Sequence, residues 1–136
     1  MTAEKLAPQL LAGRALLCAL FLVSGLGKIG RFAAVAAFMT SRGLPAAELL
    51  LVSTILLEVG AALALLVGWH TRKAAWILVA FTALATALFH AFWSADAPAF
   101  QNQLNHFLKN GAIMGGLLYL GAMGAGAWSL DARVRR

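Results

Sequence analysis

Length, composition and charge exclude most classes of soluble protein. The chain has 136 residues, which suits a single domain, and 62% of them are hydrophobic while only 12% are charged. Soluble domains usually carry about a quarter charged residues, so this composition predicts a membrane protein. The net charge of +6 would suggest nucleic acid in a soluble protein. No basic patch is interleaved with exposed aromatic residues, however, so nucleic acid is excluded as a partner.

Three segments are clearly long and apolar enough to cross the lipid bilayer as α-helices. Residues 74–95 and 110–130 contain no Asp, Glu, Lys or Arg, and residues 49–69 contain only Glu58. A helix needs roughly 20 apolar residues to cross about 30 Å of hydrocarbon. A soluble all-α bundle would instead need a polar face on each helix, and these three stretches have none.

A fourth, shorter segment lies near the N-terminus. Its uncharged run covers residues 15–27, and it becomes long enough if the side chains of Arg14 and Lys28 reach the headgroups. Basic residues before an apolar run are also typical of a signal peptide. Cleavage would leave three spans with the ends of the chain on opposite sides, so we interpret the segment as a retained helix.

The predicted fold is therefore an all-α bundle of four transmembrane helices, forming one domain over residues 1–136. The stretch between Arg31 and Arg42 is too short to span the bilayer and is predicted to be an interfacial helix between helices 1 and 2. Residues 94–103 are expected to form a loop on the same side. The four spanning helices are predicted at about residues 8–29, 46–68, 73–93 and 105–127.

The basic residues predict the orientation of the bundle. Four spans place both termini and the turn around Arg72 on one side, and basic residues collect on cytoplasmic sides. The chain is expected in a bacterial cytoplasmic (inner) membrane as a multi-pass protein with both termini cytoplasmic. That side carries Lys5, Arg72, Lys73, Arg133, Arg135 and Arg136, against Lys28, Arg31, Arg42 and Lys109 on the other.

The fourth predicted helix carries small residues four positions apart. Gly111 is followed by Gly115, and Ala112 by Gly116. This spacing lets helix backbones approach closely in a membrane. It serves either packing inside the bundle or contact between two copies of the chain, so a homo-oligomer stays open.

Glu58 is the polar residue that most needs an explanation. If Glu48 lies at the interface, Glu58 is ten residues deeper, which is about 15 Å along a helix and close to the midplane. Thr54 lies one turn earlier on the same face. A carboxylate at that depth must be protonated or find a cation.

Polar residues on the other helices are predicted to meet Glu58 in the outer half of the bundle. Lys28 ends the first helix, with Ser24 one turn before it. The candidates for ligand contact are Lys28, Glu58, His90, Lys109, Asn110 and Trp93, and those for structural pairing are Arg14, Ser24, Thr54 and Thr86. The alternative is that Glu58 pairs with one lysine only to set the helix register, while the other polar groups face water.

Metal, haem and thiol chemistry find little support in the residue pattern. His70 is predicted on the opposite side from His90 and His106, and two histidines without an i, i+4 pair do not make a metal site, so no metal is expected. Cys18 is the single cysteine, so the chain has no dithiol. If the protein takes part in redox work, its own thiols do not carry the electrons.

The series of motifs resembles the DoxX family of small four-span bacterial membrane proteins. The resemblance runs from Arg14 to Asp131. It rests on the following pieces in this order: Ser24-Gly25-Leu26-Gly27-Lys28, Gly43-Leu44-Pro45, Glu58-Val59-Gly60, Gly68-Trp69-His70-Thr71-Arg72, Phe89-His90-Ala91-Phe92-Trp93, Phe107-Leu108-Lys109-Asn110, Gly115-Gly116 and Ser129-Leu130-Asp131.

The resemblance implies a four-helix bundle in the cytoplasmic membrane and an association with respiratory and redox processes. It carries no established catalytic mechanism, so no catalytic residue is assigned and enzyme activity stays open. The leading hypothesis is a redox-accessory protein with an intramembrane polar site for a quinone or another small aromatic molecule, working with soluble redox enzymes. A quinone site predicts an opening lined by Phe89, Phe92 and Trp93. A scaffolding subunit that docks a soluble redox partner predicts no cavity, and a small transporter or proton pathway predicts access from both faces.

Overall fold

The chain folds into α-helices joined by short turns, and the computed structural model describes residues 5–134 of it. These residues contain no strand, so the all-α membrane bundle expected from the sequence is confirmed. The helices are α1 (Ala7–Gly30), α2 (Phe32–Ser41), α3 (Ala47–Val67), α4 (Thr71–Phe89), a short 3₁₀ turn (Phe92–Ser94), α5 (Ala97–Met123) and α6 (Leu130–Val134).

Among residues 5–134, three helices are long and apolar enough to cross a membrane by length and composition. They cover Ala7–Gly30, Ala47–Val67 and Thr71–Ser94. The fourth predicted span, α5, has a polar first half, yet it lies antiparallel to α4 along its whole length. It begins where Phe92 packs on Phe100 and ends where Gly121 packs on Ala75. These contacts at its two ends show that α5 runs beside α4 in the opposite direction.

The start of α5 differs from the expected position. The helix begins at Ala97, not near residue 105, and most of the expected loop is helical. Asp96 is the N-cap, and its side chain accepts a hydrogen bond from the N–H of Ala99 at 3.1 Å. Pro98 occupies the first turn, where its missing N–H removes no hydrogen bond. The helix ends at Met123 because Gly124 adopts a positive φ of 80°.

The short helix α2 packs on α3 and does not lie apart from the bundle. Ala36 and Met39 of α2 are buried against Ala47, Leu51 and Ile55 of α3. A second apolar core joins the longer helices nearer the other end of the bundle. It contains Cys18, Phe21, Ala62, Leu65, Ala74, Ala75, Leu78, Leu117 and Leu120.

Of the three closely spaced glycines Gly111, Gly115 and Gly116, one takes part in packing among the described residues. A Cβ built on Gly116 would lie 3.7 Å from Leu17 of α1. Built on Gly111 or Gly115, it would meet no atom of the described residues within 4 Å. The closely spaced Gly111 and Gly115 therefore do not serve contacts inside the bundle.

The C-terminal segment closes the end of the bundle where α1 begins. Arg14 is buried, and its Nη2 donates a hydrogen bond to the carbonyl of Trp128 at 2.6 Å. Asp131 accepts hydrogen bonds from the N–H groups of His70 and Thr71 at 2.8 and 2.9 Å. Its carboxylate therefore caps the first turn of α4. The two ends of the described chain consequently lie at the same end of the bundle.

Candidate functional site

The centre of the candidate site is an ion pair between α1 and α3. Lys28 Nζ lies 2.7 Å from Glu58 Oε2 and 3.0 Å from Oε1. Lys28 also donates a hydrogen bond to Ser24 Oγ at 2.7 Å, and Ser24 donates to Glu58 Oε1 at 3.2 Å. Only 3% of the Glu58 side chain is exposed, against 23% for Lys28. Of the polar residues expected to meet Glu58, Lys28 and Ser24 contact its carboxylate directly.

Ser24 and Lys28 reach Glu58 because they lie one helical turn apart on the same face of α1. Gly25 lies between them and allows the two helices to approach. A Cβ at position 25 would lie 2.9 Å from Val59 Cγ2 and 3.4 Å from Glu58 Oε2. A side chain at this position would push α1 away from α3 and stretch the ion pair.

The ion pair forms part of the wall of a cavity of about 360 Å³. The rest of the wall is mostly apolar and includes the phenyl rings of Phe21, Phe38, Phe81 and Phe89. All four long helices and α2 contribute. The lining residues are Leu20, Phe21, Ser24, Lys28, Val35, Phe38, Met39, Leu51, Thr54, Glu58, Phe81, Thr82, Ala85, Phe89, His90, Asn110 and Ile113.

His90 lies at the end of α4 and is held by α5. Its Nδ1 is 2.9 Å from Gln103 Oε1, and its ring stacks on His106 with centroids 4.7 Å apart and an angle of 11° between the planes. An amide oxygen can only accept, so Nδ1 carries the proton of this hydrogen bond. In the neutral ring Nε2 is then an acceptor.

A chain of hydrogen bonds joins α4 and α5 beside the cavity. Asn110 Nδ2 donates to Thr86 Oγ1 at 2.8 Å, and Thr86 donates to the carbonyl of Thr82 at 2.6 Å. Thr86 thus pairs with α5, while Asn110 keeps one N–H and its carbonyl oxygen available for other partners. The hydroxyl of Thr82 is also buried, and it has no hydrogen-bond partner among residues 5–134.

The predicted ligand contacts divide into two groups. Lys28, Glu58, His90 and Asn110 line the cavity together. Lys109 does not, because one residue along a helix turns the side chain by about 100°, and its side chain is exposed.

Trp93 also lies outside the cavity. It is 63% exposed and packs edge to face against Phe92 and Phe107. Of the three aromatic residues expected around the opening, only Phe89 is among the lining residues. The 3₁₀ turn Phe92–Ser94 follows α4 and carries the other two away from the cavity.

The structural-pairing candidates are also distributed over both ends of the bundle. Ser24 and Thr86 pair across helices as described above. Thr54 lines the cavity, but its hydroxyl donates to the carbonyl of Leu51 in its own helix at 2.9 Å. Arg14 lies at the opposite end, where it holds the C-terminal segment. Arg14 and Lys28 lie on the same face of α1 but at opposite ends of the helix, so they belong to different sites.

Sequence reasoning overlooked Gln103 and the aromatic wall of the cavity. Gln103 lies on α5 one turn before His106, and the signal that would have placed it on the helix is the capping sequence Asp96-Ala97-Pro98. Phe21, Phe38 and Phe81 lie inside apolar runs. Nothing in such a run distinguishes a residue that faces a cavity from one that faces lipid.

Comparison with known proteins places the chain in a family. The DoxX family model matches residues 9–91. The chain is 39% identical over 121 residues to the inner membrane protein YqjF of Escherichia coli (strain K12), which covers 89% of this chain and 88% of the relative. It is 31% identical over 124 residues to the inner membrane protein YphA of the same organism, covering 91% and 89%. No solved structure matches the chain.

The family match includes three of the four predicted ligand contacts that line the cavity, namely Lys28, Glu58 and His90. The relatives extend over most of the chain, including α5. With its helical fold and apolar spans, this chain belongs to the DoxX family of membrane proteins.

Proposed function

We propose that this protein is a membrane redox-accessory protein that binds a quinone or a similar small aromatic molecule in its intramembrane cavity. One observation carries the proposal: an apolar cavity of about 360 Å³ has the buried Lys28–Glu58 pair in its wall. Small-molecule sites commonly measure about 300–1,000 Å³ and combine apolar walls with a few polar groups that orient the ligand. This cavity has both properties.

The wall suits a flat ring. Phe21, Phe38, Phe81 and Phe89 surround the cavity, and stacking of an aromatic pair contributes roughly 0.5–1.5 kcal/mol beyond burial. Polar groups on α1, α3, α4 and α5 are available to ring substituents. The cavity lies among the helices that the sequence predicts to span the bilayer, so the ligand we propose is a lipophilic molecule.

The cavity favours this proposal over the two alternatives. A scaffold requires no cavity beside its polar residues. A transporter requires a path to the other face. Below this cavity, however, the helices pack around Leu65, Leu78 and Leu117, which are fully buried, and the end beyond them is closed by Arg14 and Trp128.

The redox part of the proposal rests on the family resemblance and on the residue content of the chain. Because Cys18 is the single cysteine, no dithiol can exchange electrons with a ligand. A soluble redox enzyme would then act on the bound ring, and this protein would hold it. The proposed location is a bacterial inner membrane with both termini in the cytoplasm. The names of the relatives and the shared end of the two termini support this location.

Binding to purified protein tests the proposal. Titration calorimetry with a short-chain quinone in nanodiscs should give saturable binding. Ala85→Phe should abolish it, because Ala85 lines the cavity and a phenyl group there would fill it. Ala83→Phe on the same helix is the control, since Ala83 is exposed and should tolerate the ring with the affinity unchanged. No saturable binding to the wild-type protein would overturn the proposal.

A further inference from the structure

The short helix α2 forms one side of the cavity. Val35, Phe38 and Met39 lie on one face of this helix, and all three line the cavity. Met39 is buried against α3, whereas 47% of Phe38 is exposed. A side chain that lines the cavity and is nevertheless half exposed lies at the boundary between the cavity and its surroundings.

At this boundary the ring of Phe38 packs against Phe89 of α4. The ring centroids are 5.6 Å apart, with an angle of 32° between the planes. Phe89 also lines the cavity. The gap between α2 and α4 is therefore bridged by two side chains. Exposed side chains change rotamer rapidly, so this contact can open without any movement of the helices.

A cation lies over the exposed ring. The guanidinium carbon of Arg42 is 5.2 Å from the centroid of Phe38. A cation within about 6 Å of a ring centroid is attracted to the face of the ring. Arg42 follows the last residue of α2 and is itself exposed. Arg42 therefore stabilises Phe38 in the position in which it contacts Phe89.

Leu20 of α1 marks a second border of the cavity, since it lines the cavity and is 42% exposed. An opening there would have to separate α1 from α5, which approach closely one turn away, where Leu17 packs on Gly116. The helix α2 has only ten residues and is joined to its neighbours by a helix break at Arg31 and by a turn at Gly43, whose φ is 77°. The border at α2 is therefore the easier one to open.

We propose that the pair Phe38–Phe89 is the gate of the cavity, and that a lipophilic ligand enters between α2 and α4 when Phe38 rotates away from Phe89. Arg42 stabilises the closed position. The route opens near the end of the bundle opposite the chain termini. The inference rests on the proposed function for the identity of the ligand, whereas the gate itself depends only on the cavity.

Labelling of a cysteine in the cavity tests the gate without a ligand. In a Cys18→Ala background, Ala85→Cys introduces a thiol in the cavity wall, and Ala83→Cys introduces one on the exposed side of the same helix. In nanodiscs, Phe38→Ala should speed the reaction of N-phenylmaleimide with Ala85→Cys by roughly twofold to tenfold, the loss expected for one aromatic pair. The reaction with Ala83→Cys should not change. An unchanged rate at Ala85→Cys, or a rate raised by Leu20→Ala and not by Phe38→Ala, would overturn the inference.

The cation over the ring provides a second, milder test. Arg42→Gln should speed the labelling of Ala85→Cys by about twofold to fivefold, because Phe38 loses its contact with the guanidinium group. Arg31→Gln, at the other end of α2, is the matched control, since Arg31 is exposed and donates a hydrogen bond to the carbonyl of Gly27. The labelling rate in Arg31→Gln should equal that of the background protein.

Binding of duroquinone separates the gate from the proposed function. If the labelling rate responds to Phe38→Ala and Arg42→Gln but duroquinone does not bind, the gate stands and the proposed ligand is wrong. If duroquinone binds saturably while neither substitution changes the labelling rate, the gate is overturned and the proposed function stands.

Discussion

Gly25 of α1 lies against Glu58 of α3, so closely that a Cβ at position 25 would come within 3.4 Å of the carboxylate and 2.9 Å of Val59. The absence of a side chain at this position therefore determines how close the two helices come. The distance between them in turn sets whether Lys28 can reach Glu58 at 2.7 Å. The glycine and the ion pair form one structural unit.

Substitution of Gly25 should destabilise the protein through this contact. Gly25→Val is expected to lower the melting temperature in detergent and to weaken ligand binding, because α1 must move away from α3. Gly13→Ala on the same helix is the matched control, since a Cβ there meets no atom of the described residues within 4 Å. Alanine is favoured over glycine inside a helix by roughly 0.5–1 kcal/mol, so Gly13→Ala should be neutral or stabilising. Equal melting temperatures for Gly25→Val and wild type would contradict the contact.

Breaking the ion pair should cost more than removing it entirely. Lys28→Met leaves a buried carboxylate without its cation, and loss of one partner from a buried pair commonly costs about 3–5 kcal/mol. The double substitution Lys28→Met with Glu58→Leu should recover much of that loss, because no unpaired charge remains. Chemical denaturation in mixed micelles measures all variants. Glu48→Gln, at an exposed carboxylate of the same helix, should have little effect.

The buried Arg14 predicts a strong requirement for glycine at position 68. Gly68 has a φ of 70°, and a Cβ there would overlap the guanidinium of Arg14 and the side chain of Ser129. Gly68→Ala should therefore unfold or displace the C-terminal segment. Gly43→Ala is the control, since Gly43 has a φ of 77° but open space around it among the described residues. The two substitutions share the backbone strain, and the difference between their melting temperatures isolates the steric overlap.

The capping carboxylate of Asp131 should make stability depend on pH. Burial raises the pKa of Asp131, but the hydrogen bonds from Thr71 and His70 outweigh it and hold the pKa below its ordinary value of 3.8. The group is charged more readily in the folded protein than in the unfolded one. Its contribution is complete above the unfolded pKa and is lost as the pH falls through the lower, folded pKa.

Asp131→Asn tests this contribution. The variant should be less stable than wild type at neutral pH by about 0.5–2 kcal/mol, the usual range for loss of an N-cap. The difference should shrink as the pH falls below about 4, where the unfolded carboxyl group is protonated. Melting temperatures recorded across this pH range provide the measurement. A difference that is constant with pH would show that the charge of Asp131 has no part in the cap.

The proposed orientation predicts the location of the C-terminus. Alkaline phosphatase, which is active only outside the cytoplasm, should give no activity when fused to Arg136, because the basic residues at this end favour the cytoplasm. The same enzyme inserted between Arg42 and Pro45, at the other end of the bundle, should be active. Phosphatase activity of the C-terminal fusion, together with no activity of the enzyme inserted after Arg42, would show that the protein has the opposite orientation.

The sequence by itself determined that the protein is surrounded by lipid and that its fold is all-α. Hydrocarbon cannot hydrogen-bond to a peptide group, so long uncharged runs must be helices, and this requirement leaves its mark in the residue pattern. The same reasoning identified Glu58, since a charge inside an apolar run is costly wherever the neighbouring helices lie. The capping residues Asp96 and Pro98 also indicate in the sequence where α5 starts. The prediction from the uncharged run nevertheless placed the start near residue 105, eight residues too far along the chain.

Only the tertiary structure decided which side chains meet. The rotation and the vertical position of each helix are set by packing over many residues, among them Gly25 and Leu51. For this reason Lys28 contacts Glu58 while Lys109 faces away, and Arg14 and Lys28 lie at opposite ends of the bundle although both are on α1. Among residues 5–134, the buried and unpaired hydroxyl of Thr82 and the hydrogen bond of His90 with Gln103 depend on the absence or presence of single neighbours at about 3 Å. Such distances arise from the packed helices and leave no periodic signal in the sequence.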